Sequence, residues 1–415
     1  MTPTSLVMIG NGMAGVRTLE ELVKLAPGRH TITVFSAEPH PNYNRVLLSP
    51  VLAGEQTLQD IVLNPLDWYA EHGITLHLGC RVTRIDRARR RVHGIDDQGR
   101  EVCADYDRLL IATGSTPFMP PLPGRELAGV MAYRDIADTE AMIAAAARET
   151  HAVVIGGGVL GLEAANGLAQ RGMDVTVLHL GGWLMERQLD ARAGALLRQA
   201  LEQRGLRFAL QAQTAAFVAA ADGPRVAAVR LADGRELPAG LVVVAAGIRP
   251  ANALAREAGL LCALDGRGGI VVDDTLQTVT DPRIYAVGEC ASHRGTAYGL
   301  VAPVYDQAMV CATHLAGLGA RRYRGSQVST KLKVTGIDLY SAGDFLGGPD
   351  TEEITLEDGP AGAYRKLVLR DGRLVGTCLY GDTAHGAWYL ELIRDAAPLP
   401  QGLRPQLMFG PPATA

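Results

Sequence analysis

Short, continuous apolar runs punctuate the chain at residues 6–10, 109–112, 152–155 and 241–246. A glycine closes each run or follows within two residues of its end. Runs of this kind predict strands buried on both faces, as in a parallel sheet. A different pattern begins at about Tyr323. Apolar and polar positions alternate there, as in AYRKLVLRDGRLVGTCLYG, which predicts a hairpin turning at Asp371-Gly372. A helical segment is expected over 387–396, and the proline-rich tail from Pro398 is expected to be irregular.

Two of the buried runs lead directly into glycine turns. Gly10-Asn11-Gly12-Met13-Ala14-Gly15 follows the first, with a helix predicted to about Leu25 and a strand over 31–35. Gly156, Gly158 and Gly161 follow the third, with a helix to about Arg171 and a strand over 174–178. Both are βαβ units with the G-x-G-x-x-G spacing in its required context. The first glycine allows a tight turn. The second lets backbone approach a pyrophosphate, and the third lets helix and strand pack closely. The helix N-terminus adds unpaired N–H groups and partial positive charge. The alternative is a pair of packing turns with no ligand.

Between the two units lie hairpin signals and then RLLIATGSTPFMPPLPG, whose prolines and glycines from Pro117 to Gly124 mark a domain crossing. GLVVVAAGIRPAN is the matching return. The second unit is therefore expected to be inserted in the first. The expected divisions are 1–116 and 247–321 for the first domain, 117–246 for the second and 322–415 for a third. The fold expectation is α/β, with two Rossmann-like dinucleotide-binding domains and a C-terminal α+β domain.

Composition narrows the function classes. A chain of 415 residues suits two or three domains, and 47% apolar with 20% charged residues is ordinary for a soluble protein. A net charge of −4 gives no reason to expect nucleic acid or an anionic membrane as partner. No apolar run approaches a bilayer span, and the N-terminus enters a strand without a basic-then-apolar leader, so a cytoplasmic location is expected. The six cysteines are scattered, with no C-x-x-C pair. That argues against a zinc ribbon, a redox disulfide and a cysteine-bound iron–sulfur cluster. They are read as reduced, mostly buried thiols, Cys290 among them as a packing thiol. His385 is read as structural. No metal site is expected.

Two dinucleotide sites suggest two different dinucleotides. The economical pairing is a flavin held permanently and a nicotinamide that exchanges, because a nicotinamide delivers a hydride and a flavin can release the electrons singly.

The order G-x-G-x-x-G, A-T-G, a second G-x-G-x-x-G, G-x-x-P and then T-x-x-P-x-I-Y-A-x-G-E resembles the two-dinucleotide flavoprotein reductases over nearly the whole chain. Within them, PNYNRVLLSPVLAG, LMERQLD, IYAVGECAS, GLVAP and STKLKVTG look like the N-terminal module of assimilatory NAD(P)H-dependent nitrite reductase large subunits. They look equally like the electron-transfer subunits of assimilatory nitrate reductases.

The resemblance implies that Gly10, Gly12, Met13, Ala14 and Gly15 face the FAD pyrophosphate. Glu38 would meet the adenosine ribose, since Ser36 occupies the usual strand-end place of the acid. Arg45 would lie near the flavin and its phosphates. Thr113 and Gly114 would line the FAD site, with Gly288 and Glu289 on the ribityl chain, and Val82, Ala112 and Gly247 are further cofactor-binding candidates. The helix beginning near Pro303, with Val301, would aim its N-terminus at the flavin. Gly156, Gly158, Leu160 and Gly161 would hold NADH or NADPH.

Glu163 is the candidate catalytic residue, a carboxylate where the nicotinamide docks; the alternative is an acid complementing a helix dipole. Arg134 would sit at the junction of the nucleotide domains, or else form a surface ion pair. His179 stands where an NAD site usually has an acid, with Arg187 nearby, which leaves NADH and NADPH both open, and the resemblance leans to NADH. Lys331 and Lys333 would lie over the flavin ring, or else be solvated lysines on a strand; neither is assigned catalysis.

The implied function is an FAD-dependent NAD(P)H oxidoreductase. It would pass electrons to an iron–sulfur/sirohaem or molybdenum centre for nitrite or nitrate reduction. That centre must lie on another protein or domain, because this sequence lacks the cysteine sets. A rubredoxin or ferredoxin reductase and a non-catalytic redox sensor are the alternatives. Oligomeric state is left open.

Overall fold

The computed structural model describes the chain except for residues 1–2, 265–267, 320, 327–328, 335, 401, 403 and 412–415. Two compact units form. The first comprises Met1–Leu48, Gln56–Pro117 and Ile248–Ser326, and the second Ser49–Glu55, Phe118–Gly247 and Gln327–Ala415.

The first unit is built on a parallel sheet in the order Ile284–Ala286, Arg108–Ile111, Thr4–Ile9, His30–Phe35, Thr75–His77. Leu6, Val7 and Met8 are each fully buried, which is what a continuous apolar run in a covered central strand requires. Helix Met13–Leu25 packs against helix Val301–Leu315. That second helix starts two residues before the expected Pro303. Extended Leu300 is its cap, and a proline fits the first turn because the N–H it lacks has no intrahelical partner there. A three-stranded antiparallel sheet, Arg81–Asp86, Arg91–Ile95 and Glu101–Asp105, adds Val82 to the same core. Ser115–Pro117 pairs antiparallel with Ile248–Pro250, so the outgoing and returning chain are zipped together.

The second unit repeats the plan. Its parallel sheet runs Val130–Ala132, Leu241–Val244, His151–Ile155, Asp174–His179, Arg207–Leu210. The strand at Leu241 stops two residues short of its expected end. The unit also holds a five-stranded antiparallel sheet in the order Ser329–Val334, Ile337–Gly343, Arg373–Tyr380, Ala363–Arg370, Glu352–Asp358. Helix Gly386–Asp395 packs on it. Asp371 and Gly372 are both left-handed, with φ of 50° and 71°, as a two-residue hairpin turn of this twist demands. The tail is not irregular throughout. Arg404–Phe409 is a 3₁₀ turn whose Leu407 is fully buried in the apolar cluster of the C-terminal sheet and helix, and Tyr389 of that cluster donates to the Leu407 carbonyl at 2.5 Å.

The architecture is thus α/β with two Rossmann-like sheets and a C-terminal α+β domain. Among the described residues no helix is long and apolar enough to cross a membrane. All six cysteines are free; five are buried and Cys103 is exposed. Lys331 is exposed, and the Lys333 side chain lies outside the described residues.

Candidate dinucleotide sites

The two glycine turns have the same division of labour. Gly10 (φ 102°) and Gly156 (φ 124°) adopt a left-handed backbone, and a Cβ on either would fall on the carbonyl of Ala112 or Ala245. At Gly15 a Cβ would meet Met8 Sδ at 2.8 Å and Ala112 Cβ at 2.9 Å; at Gly161 it would fall on the Gly156 carbonyl. Gly12 and Gly158 differ: a Cβ there meets nothing within 4 Å. Neighbouring strand ends therefore require the first and third glycines. The middle one opens outward, where only a ligand would need the space.

The helices that follow are bare at their N-termini. Neither Met13–Leu25 nor Val159–Gln170 has a side-chain cap or an acid in its first turn. Their leading N–H groups suit an anion. In the first turn Asn11 Oδ1 accepts from Tyr69 at 2.8 Å, and burial pushes the Tyr69 pKa up to about 12. Asn11 Nδ2 is buried with no partner among the described residues, an orphaned donor inside the turn. These features fit a pyrophosphate.

Around the first turn, Glu38 and Arg45 are brought together. Arg45 Nη2 donates to Glu38 Oε1 at 2.6 Å and Tyr43 donates to Oε2 at 2.7 Å. Arg45 also stacks over the Tyr43 ring at 5.1 Å. Ala112 is buried at the end of its strand, Thr113 Oγ1 donates to the Ala251 carbonyl at 2.7 Å, and Gly114 is left-handed at φ 67°. Gly288 (φ 80°) lies so close to Ala14 that a Cβ would meet it at 2.8 Å, and its N–H donates to the fully buried Gln307 at 2.8 Å. Glu289 accepts from Ser115 at 2.7 Å. Helix Val301–Leu315, with Pro303 in its first turn, likewise has no side-chain cap and no first-turn acid. Val82 contributes a buried side chain to the core.

In the second unit, Leu160 follows the turn and Glu163 lies one turn further along the helix. Ser49 donates to Glu163 Oε2 at 2.7 Å, and Tyr133 donates to Ser49 Oγ at 3.4 Å. Burial raises the Glu163 pKa, and the Ser49 bond only partly opposes it. Arg134 offers its backbone N–H to Asp138 at 2.7 Å. Gly247 is left-handed at φ 109°, and its carbonyl accepts from Phe118.

His179 is engaged at both ring nitrogens. Gly157 N–H donates to Nδ1 at 3.1 Å, and Nε2 lies 2.5 Å from Glu186 Oε2. Sequence reasoning missed Glu186. The signal was present in LMERQLD, but no periodicity ties a loop residue to a strand end.

Residues 4–314 match the family model described as pyridine nucleotide-disulphide oxidoreductase. The chain belongs to this family. As a pyridine nucleotide-disulphide oxidoreductase it is an enzyme of the oxidoreductase class. Residues 329–397 match a second model, the rubredoxin NAD+ reductase C-terminal domain. The chain is 48% identical over 397 residues to nitrite reductase [NAD(P)H] of Bacillus subtilis (strain 168), covering 96% of this chain and 48% of that one. It is 46% identical over 383 residues to the assimilatory nitrate reductase electron transfer subunit of the same organism, covering 92% and 48%. The chain thus spans about half the length of these curated relatives. Among solved structures, the covalent putidaredoxin reductase–putidaredoxin complex superposes with a TM-score of 0.84 at 27% identity, covering 97% of this chain and 96% of that one.

The family name speaks of a disulphide, yet every cysteine here is free. Cys290, next to Glu289, is fully buried, with Sγ 3.3 Å from the Val287 carbonyl and 3.5 Å from that of Ile111. Burial raises its pKa, which disfavours the reactive thiolate.

Proposed function

We propose that the chain is an FAD-dependent NAD(P)H oxidoreductase that supplies electrons to an iron–sulfur/sirohaem or molybdenum centre for assimilatory nitrite or nitrate reduction. The observation that carries this reading is the matched pair of glycine turns, each closed at its first and third glycine and open at the second. Similarity to a nitrite reductase and to a nitrate reductase electron transfer subunit, across more than nine-tenths of this chain, supports the choice of acceptor.

In this reading Gly12, Asn11 and the N-terminus of Met13–Leu25 hold the FAD pyrophosphate. Glu38, fixed by Arg45 and Tyr43, meets the adenosine ribose. Glu289, fixed by Ser115, and Gly288 hold the ribityl chain. The uncapped start of Val301–Leu315 offers positive charge to the flavin ring. Gly158 and the helix after it take the pyrophosphate of NADH or NADPH. Glu163 borders the nicotinamide, held in one rotamer by Ser49. When bound, FAD accepts the two electrons of a hydride and releases them singly. The protein's task is alignment rather than proton transfer, so no side-chain acid–base pair is required.

The test is anaerobic titration of the FAD-loaded chain with NADH and NADPH, followed by addition of a nitrite reductase catalytic fragment. Bleaching of flavin absorbance by substoichiometric nucleotide, and its return with the fragment, is expected. A chain that cannot be loaded with FAD defeats the proposal. A second reading, transfer to a small iron–sulfur or rubredoxin-type protein, is favoured by the match of residues 329–397 to a rubredoxin NAD+ reductase domain. It predicts return of absorbance with rubredoxin and none with the nitrite reductase fragment.

A further inference from the structure

The geometry points to Glu186 as the carboxylate that meets the 2′-hydroxyl of the coenzyme's adenosine ribose, held there by His179, so that NADH is selected over NADPH. This inference rests on the second glycine turn being the nicotinamide coenzyme site.

In a βαβ dinucleotide site, the acid that bonds the 2′-hydroxyl usually ends the second strand. Here Asp174–His179 ends on an imidazole. That ring does not face the ribose with a spare nitrogen. Its Nδ1 accepts the Gly157 N–H from within the glycine turn, which leaves the proton on Nε2, 2.5 Å from Glu186 Oε2. The histidine therefore works as an adaptor. It carries a carboxylate from a loop residue seven positions downstream to the strand end.

The loop is shaped around this contact. Gly181 leaves the space the carboxylate fills: a Cβ there would fall on Glu186 Oε2 and lie 2.8 Å from His179 Nε2. Met185, just before Glu186, is held left-handed at φ 55°, and its N–H donates to the Gly157 carbonyl at 2.9 Å. Both the histidine and the loop are thus tied to the same residue of the turn. The Glu186 side chain remains 41% exposed, so the carboxylate keeps a face open to a ligand. Among the described residues no lysine or arginine lies within ion-pair distance of it, so its charge is not cancelled by a cation.

A separate observation marks the same spot. Leu180, next to His179, is 72% exposed. It is a large apolar side chain placed in water at the strand end beside the turn, the kind of surface an adenine base covers. A carboxylate next to it accepts a hydrogen bond from a 2′-hydroxyl and repels a 2′-phosphate.

The experiment is calorimetric titration of the FAD-loaded chain with ADP-ribose and with its 2′-phosphorylated form, in wild type, Glu186→Gln, His179→Ala and His179→Gln. Wild type is expected to prefer ADP-ribose by about tenfold or more, a difference of about 1.4 kcal/mol. Glu186→Gln should bring the two affinities to within about threefold, with an unchanged melting temperature because the side chain is partly exposed. His179→Ala should lower the preference too, and His179→Gln, whose amide can still donate to Glu186, should restore part of it. A wild type that binds the phosphorylated probe as well or better overturns the proposal, as does a Glu186→Gln variant with the wild-type ratio. In both cases the coenzyme site itself stands. Binding of neither probe removes that site, and this inference with it.

Discussion

Ser49 and Glu163 are joined by a 2.7 Å hydrogen bond although 114 residues separate them in the chain. The bond lowers the pKa of a carboxyl that burial raises, and burial wins. The folded protein therefore binds this proton more tightly than the unfolded chain, whose glutamates titrate at about 4.5. Stability falls as pH climbs from that value to the raised folded value, and is flat above it. Glu163→Gln lacks this decline. Urea midpoints at pH 4.5 and pH 8 should show the wild type losing ground to the variant at the higher pH. Ser49→Ala should widen the gap, because the bond that favours the carboxylate is gone. An equal wild-type-to-variant difference at both pH values would mean that the carboxyl is not shifted.

The glycine turns predict a split between fold and ligand. Gly15→Ala must displace Met8 Sδ and Ala112 Cβ, both within 2.9 Å of the new methyl, and should cost about 1–3 kcal/mol in denaturant melts. Gly12→Ala and Gly158→Ala meet no protein atom within 4 Å, and both backbones are extended, so each should fold with a loss of about 1 kcal/mol or less. Their methyl groups enter the open faces instead. Gly12→Ala should purify with less bound flavin, measured by absorbance. Gly158→Ala should keep its flavin and bind ADP-ribose more weakly. Reversed phenotypes would swap the two sites.

Asp190 fastens the C-terminal sheet to helix Ala191–Glu202 within the second unit. It caps helix Ala191–Glu202 through the Ala193 N–H at 2.9 Å, accepts from Tyr364 at 2.7 Å, and lies 3.8 Å from the ammonium of buried Lys366. Asp190→Ala removes a cap and a charged acceptor together and should cost roughly 3 kcal/mol. Asp190→Asn preserves the cap and should cost about half as much. Glu353 stays 2.9 Å from Lys366 in either variant, so the ammonium is never left alone. Equal losses for the two variants would show that the cap contributes nothing.

What was legible in the sequence was local. The run Leu6–Ile9 and the turn after it declare themselves because a strand covered on both faces tolerates no polar residue, and because Gly10 needs a backbone that only glycine adopts cheaply. Asp371-Gly372 reads as a hairpin turn for the same reason. The partners of the site residues were not legible. Glu38 drew notice as a candidate ribose acid, but its fixation by Arg45 depends on how the intervening loop folds back. His179 drew notice as a missing acid, and only the folded loop shows Glu186 brought to it. The buried 3₁₀ turn at Arg404–Phe409 hid behind prolines, which mark loops whether or not a residue such as Leu407 is then packed away.

The cysteines offer a separate check on the site. Cys290 sits beside Glu289 and invites a redox role, but it is fully buried, and burial raises the pKa of its thiol. Cys311 and Cys378 are fully buried as well, and burial raises the pKa of each; for Cys378 it reaches about 12. Reaction with an alkylating or disulfide reagent needs thiolate and access together. In the folded protein, one thiol of the six, the exposed Cys103, should react with Ellman's reagent, and the remaining five only in denaturant. Cys103 should react faster as pH rises, because partial desolvation and the neighbouring Glu101 raise its pKa. Cys290→Ala should leave flavin reduction by nicotinamide unchanged, read as the rate of bleaching in a stopped-flow mixing experiment. Prompt release of two equivalents from the native protein, with the second lost in Cys290→Ala, would return Cys290 to the reaction.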